Sequence, residues 1–175
     1  MDPIFIIGQI LGVVTVLLGF INYQVKTREQ VLIVHIATTL CFAFHYMCIG
    51  AWAGMAMNFV GFVRNIVFYF VGKEGKVPKP WSIGFTALMV AMGIVSWEAW
   101  YSILAVVGIG INSFAMSFSN PNNIRKSILV TSPIVLVYDL FAKSYGGMAY
   151  ESIVIISSII GIIKEAKNRK SQLSK

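Results

Sequence analysis

Residues 31–71 read VLIVHIATTLCFAFHYMCIGAWAGMAMNFVGFVRNIVFYFV, an apolar run that carries one full charge, Arg64. As a single helix it would be about 60 Å long, roughly twice the hydrocarbon thickness of a bilayer. It must fold back. Gly50-Ala51-Trp52 is where the break fits, giving spans at 31–50 and 52–71. Residues 81–118 pose the same problem. They break at Trp97-Glu98-Ala99-Trp100-Tyr101, where aromatic side chains flank a lone carboxylate as at a membrane interface. Carried outward to both ends, the same reading predicts seven spans, at 4–22, 31–50, 52–71, 81–97, 100–118, 127–142 and 146–163.

Composition agrees. Of the 175 residues, 57% are hydrophobic and 12% charged, against about 25% charged in ordinary soluble domains. That excludes a cytosolic enzyme, a disordered tail and a nucleic-acid-binding domain. The net charge of +7 belongs instead to topology, because the basic residues cluster between the apolar runs. Cys41 and Cys48 lie about 10 Å apart along one helix, too far for a disulfide, and are read as buried thiols. Met1-Asp2-Pro3 lacks the basic start of a removable signal peptide, so none is expected.

With seven spans the two ends lie on opposite sides, and lysine and arginine favour the cytoplasmic side. An outside N-terminus puts Lys26, Arg28, Lys73, Lys76, Lys79, Arg125, Lys126, Lys164, Lys167, Arg169, Lys170 and Lys175 inside. Only Lys143 is then outside, and Arg64 lies within the third span. A twelve-to-one split supports the span count together with the orientation, since a wrong count would scramble it.

Sliding the chain against itself by 93 residues places His45-Tyr46 on Tyr138-Asp139, Trp52 on Tyr145, Gly54-Met55-Ala56 on Gly147-Met148-Ala149, and Asn58 on Glu151. The matched stretches occupy spans 2–3 and 6–7, separated by an even number of spans, so the repeats run parallel. The expected fold is an all-α integral membrane protein whose seven transmembrane helices form 3+1+3 parallel three-helix repeats. Residues 1–72 form the first unit, 81–97 a linker helix, 100–164 the second unit and 165–175 a basic cytoplasmic tail. Glycines in the matched stretches suit close helix packing.

His45-Tyr46-Met47-Cys48-Ile49-Gly50, Ala53-Gly54, Arg64 and Ser144-Tyr145-Gly146-Gly147-Met148-Ala149-Tyr150-Glu151 resemble the YgjV-type family of bacterial inner-membrane proteins. The likeness extends over most of the chain and implies a multi-pass protein of the bacterial inner membrane without a firmly assigned activity. More distantly, the arrangement is similar to SWEET, PQ-loop and PnuC-type transporters. Tyr23-Gln24-Val25-Lys26 resembles their Pro-Gln turn with tyrosine in place of proline, and Ser119-Asn120-Pro121-Asn122 has a proline without the glutamine. Only Pro133 lies well inside a span, unlike the several helix-breaking prolines of SWEET-type units.

The polar residues within spans are the candidate site. Arg64 lies roughly 18 Å below Trp52 and needs a carboxylate partner, an anionic or hydroxyl-rich ligand, or an escape to the inner headgroups. Glu151 enters span 7 about five residues below its outer end, and Asn58, its repeat partner, is expected at the same depth on span 3. Asn65 and Ser158 follow these by seven residues and extend each polar face. His45, above Cys41 and Thr38, is either a structural hydrogen-bonding group or a ligand or proton group. His35 is read as nearer the inner interface, and Asp139 as near the outer one, where it can reach water. Ten residues put the two histidines about 80° apart around their helix, so no shared metal site is expected.

The leading expectation is a small-molecule transporter working by alternating access of two three-helix units around a site of Asn58, Arg64, Asn65, Glu151 and His45. Glu151, His45 and Asp139 are the candidates for proton coupling. A receptor or sensor of the same architecture is the first rival. An intramembrane enzyme using His45 with Glu151 or Asp139 is the second, unsupported by any nucleophile motif, metal-spaced cluster or phosphate loop. The expected partners are the lipid bilayer and a polar small molecule, with no cofactor and no nucleic acid. Topology reporters fused at Lys76 and at Lys175 should both register cytoplasm. Opposite locations would break the seven-span assignment.

Overall fold

The computed structural model describes residues 3–25, 27–72, 76–119 and 121–173. Among these, seven helices succeed one another without a strand: α1 (Pro3–Gln24), α2 (Arg28–Ile49), α3 (Trp52–Val71), α4 (Lys79–Val95), α5 (Ser102–Ala115), α6 (Pro121–Phe141) and α7 (Tyr145–Leu173). A helix stands at each of the seven expected positions. By length and apolarity Pro3–Asn22, Arg28–Ile49 and Trp52–Val71 are sufficient to cross a membrane, while Lys79–Val95, Ser102–Ala115 and Tyr145–Ile160 are apolar but shorter. Helix α7 departs most from expectation, running on to Leu173 where the span was expected to end at 163, and α5 is shorter than expected, with 14 residues against 100–118.

The breaks have local causes. Thr27 and Gln30 form a reciprocal capping box at the start of α2, which satisfies two of the backbone donors that a helix start leaves open. Gly50 ends the same helix at φ 77°, a left-handed conformation that glycine adopts without a Cβ penalty. Ala51 follows, its N–H donating to the Tyr46 carbonyl at 2.9 Å, and α3 starts at once in the reverse direction. No side chain of α3 caps its own first turn. Glu98 does so from the α4–α5 connection, its carboxylate accepting from the Trp52 N–H at 2.8 Å. Burial raises that carboxyl above its ordinary range, and the N–H groups of Trp52 and Ala53 draw it part of the way back. Both expected break points thus meet at one end of the bundle.

Successive helices pack against each other from α1 to α7, and α7 packs back onto α1. Helix α3 also touches α5. The closing seam depends on absent side chains: a Cβ on Gly12 would lie 2.8 Å from the Gly146 Cα and 3.1 Å from the His45 ring, so the α1 and α7 backbones are in direct contact. Alongside, the Gln9 amide donates to the Lys143 carbonyl at 3.0 Å. In lipid, where apolar attraction between helices vanishes, such close backbone approach is a main source of association.

The bundle has the inside-out polarity of a membrane protein. Ile6, Ile7, Ile10, Val13, Leu17 and Phe20 of α1 are each 45–59% exposed, whereas Thr15, His45, Asn65, Ser113, Asp139 and Ser158 are fully buried. A contiguous apolar exterior of that extent is foreign to soluble monomers. The side chains of Tyr23, Gln24 and Lys26, of Asn120, Pro121 and Asn122, and of the basic tail lie outside the described residues. Of the two expected Pro-Gln-like turns, Tyr23 and Gln24 form the end of α1, and Pro121 and Asn122 form the start of α6.

The seam yields a graded prediction. Gly146→Ala should destabilise the protein by about 1–3 kcal/mol, since overpacking here meets backbone rather than a movable side chain. Gly84→Ala, on an exposed face of α4 with open space around it, should leave the unfolding temperature unchanged or slightly higher. Thermal unfolding in detergent micelles of constant composition separates the two, and equal effects would contradict the seam's role.

Candidate functional site

A polar cavity of about 70 Å³ lies inside the bundle. Helix α2 contributes His35, Thr38, Thr39 and Tyr46, α3 contributes Asn58 and Arg64, and α4 contributes Met89. Asn112 comes from α5, Thr131 and Ser132 from α6, and Tyr150 and Glu151 from α7. On α3 the lining positions Asn58, Gly61 and Arg64 recur every three residues, and on α2 His35, Thr38, Thr39, Phe42 and Tyr46 fall on one side of the helix, so both turn one face inward. A space of this size and polarity holds a few water molecules or a very small ligand.

Arg64 is only 3% exposed. Its Nε and Nη2 donate to the Asn65 Oδ1 at 3.2 and 2.8 Å, and Nη1 approaches the Met89 sulfur at 3.7 Å. The guanidinium carbon stands 5.9 Å from the centre of the Phe68 ring, a cation–π arrangement. Among the described residues no carboxylate forms an ion pair with it. Arg64 and Glu151 thus form no ion pair, although both line the same cavity. Counted from the helix starts, Arg64 is twelve residues into α3 and Glu151 six into α7, an offset of about 9 Å along the bundle.

Glu151 hydrogen-bonds with Ser132 across the α6–α7 contact. Asn58 donates to the Gly54 carbonyl of its own helix at 2.9 Å. His35 faces the cavity with its Nε2 3.3 Å from the Asn22 amide nitrogen of α1, which can only donate, so Nε2 accepts. Ser132 precedes Pro133, which has no N–H for the Leu129 carbonyl. The cavity thus lies beside a weakened turn of α6.

His45 is elsewhere. Its Nδ1 lies 2.6 Å from the Gly8 carbonyl, to which it donates, and its Nε2 lies 2.7 Å from the Ser144 hydroxyl. Both nitrogens are engaged, tying α2 to α1 and to the α6–α7 turn, so the expectation that His45 lines the site is corrected. Asp139 is corrected too: it is fully buried rather than near water. Tyr46, whose ring lines the cavity, donates its hydroxyl to the Asp139 Oδ1 at 2.6 Å. Tyr138 beside it accepts from the Gly54 N–H at 3.0 Å. Asp139 is therefore one residue removed from the cavity, behind Tyr46. Asn65 also sits behind the lining, fully buried, as the group that holds Arg64.

Of the expected site, the structure brings Asn58, Arg64 and Glu151 together and sets Asn65, His45 and Asp139 behind them. Sequence reading missed Asn112, Thr131 and Ser132, and gave His35 too little weight. Asn112 carried a usable signal, being an amide in the apolar body of α5, where it needs a partner as much as any charged residue does.

A family model described as Imp-YgjV, bacterial inner membrane protein, matches residues 6–169. No curated protein and no solved structure matches the chain. With nearly its whole length inside that match, the protein belongs to the Imp-YgjV family of bacterial inner membrane proteins.

Proposed function

We propose that the protein is a transporter of a polar small molecule, which it carries unaltered across the membrane by alternating access. Residues 1–72 and 100–164 act as two parallel three-helix units, with α4 as connector, the N-terminus outside and the C-terminus in the cytoplasm. The observation that carries the reading is Arg64: a buried cation without an anion, facing a polar cavity in an otherwise apolar bundle. A scaffold would discharge that cost with a carboxylate, whereas a ligand site leaves it open.

Three further features support the reading. The packing follows a two-fold pattern, α1–α2–α3 corresponding to α5–α6–α7, with the cross-contacts α1–α7 and α3–α5 as counterparts and α4 against α3 and α5. Tyr46 and Asp139 are 93 residues apart, the same interval as the sequence repeat, and they bond to each other between α2 and α6. Such a pair joins the two units near the proposed axis. Pro133 supplies the less rigid turn beside the cavity, suited to a bundle that must change shape.

Because no ion pair joins Arg64 to Glu151, replacing the glutamate strands no counter-charge. Glu151→Gln can keep the bond to Ser132 and should change stability by less than about 1 kcal/mol, not the 3–5 kcal/mol that follows when one partner of a buried pair is removed. Arg64→Gln should likewise stay folded. Wild-type protein is first screened by thermal shift against polar metabolites, and uptake of a hit is then measured in sealed proteoliposomes. Both variants should lose at least tenfold in uptake while eluting as folded protein. Unfolding of both variants, with normal uptake by any surviving fraction, would make the charges scaffold.

A further inference from the structure

Groups of opposite chemistry line the cavity. Arg64 presents a permanent positive charge, and the partners of its three nitrogens, Asn65 and Met89, are uncharged. Among the acceptors, Glu151 holds Ser132, and the Asn112 Oδ1 is buried without a partner.

Resting on the transport reading, we infer that the ligand of this cavity is a small zwitterion, with a carboxylate that pairs with Arg64 and an ammonium group that meets Glu151 and Asn112. Arg64 and Glu151 each then meet an opposite charge, and the ligand carries no net charge into a low-dielectric interior.

Other polar classes fit worse. A sugar or nucleoside answers neither charge and exceeds a cavity of about 70 Å³. A simple anion satisfies Arg64 but leaves the Asn112 Oδ1 unpaired beside a second negative charge. A simple cation does the reverse. Among zwitterions the cavity volume selects the smallest, those with one or two carbons between or beside the charged groups.

The test is a probe panel on purified protein in lipid nanodiscs, each compound at about 10 mM, with binding read as a rise in unfolding temperature. Glycine, L-alanine and β-alanine carry both charges, acetate and ethylamine carry one each, and glycerol carries neither. At least one zwitterion should raise the unfolding temperature by several degrees, with no comparable rise from acetate, ethylamine or glycerol. Arg64→Gln and Glu151→Gln should each abolish the rise, while Arg64→Lys, which keeps the charge but not the planar fork, should retain a weaker one. Should a glutamine variant fail to fold, the wild-type panel still decides. No rise with any zwitterion, or an equal rise with acetate or glycerol, overturns the inference. The transport reading fails separately: alanine binding without alanine flux sinks transport and keeps the ligand class, and flux of a sugar without zwitterion binding does the opposite.

Discussion

Everything in this molecule rests on the closure of α7 against α1, a backbone-to-backbone contact locked by one imidazole. Gly12 and Gly146 let the two helices touch, and His45 bonds the Gly8 carbonyl on one side and Ser144 on the other. Water offers no help in holding such a ring together, because lipid solvates apolar helix faces as well as another helix does. Close packing and internally satisfied polar groups must supply the association. Without that seam the cavity would lose the wall that carries Tyr150 and Glu151.

Two sets of buried polar groups stand out. Around His45, Ser144, Gly147, Asp139, Tyr46, Tyr138 and Gly54, hydrogen bonds link α1, α2, α3, α6 and α7 at one end of the bundle and leave the Asp139 Oδ2 buried without a partner. Networks of this kind help to specify an arrangement of helices. The cavity lies below. Arg64 holds only neutral partners, and the Asn112 Oδ1 holds none. Within a bilayer, polar demand of that size is costly and marks a candidate functional site. Tyr46 links the two regions, since its ring faces the cavity and its hydroxyl belongs to the network.

Helix α6 stands out from its neighbours. Pro133 removes a backbone hydrogen bond one residue beyond Ser132, next to the cavity, while the position 93 residues earlier is Leu40 on α2. Helices α2 and α6 are therefore unequal in stiffness where they line the cavity.

The number of helices and the places where they break were legible in the sequence, because bilayer thickness limits how long an apolar run can stay straight and Gly50 and the Trp97–Tyr101 stretch are where it yields. The type of each polar residue was legible as well: an arginine, a glutamate or an asparagine in an apolar helix announces that it needs a partner. Which of them share a space was not. His35 and His45 lie on one helix, about 80° apart around it and about 15 Å apart along it, and nothing in α2 by itself states which of the two looks into the cavity. Gly8 and Ser144 decide that, from 37 and 99 residues away, by claiming both nitrogens of His45. Helix rotation and depth are set by such distant contacts, so the residue types in the site belong to the sequence and their convergence belongs to the tertiary structure.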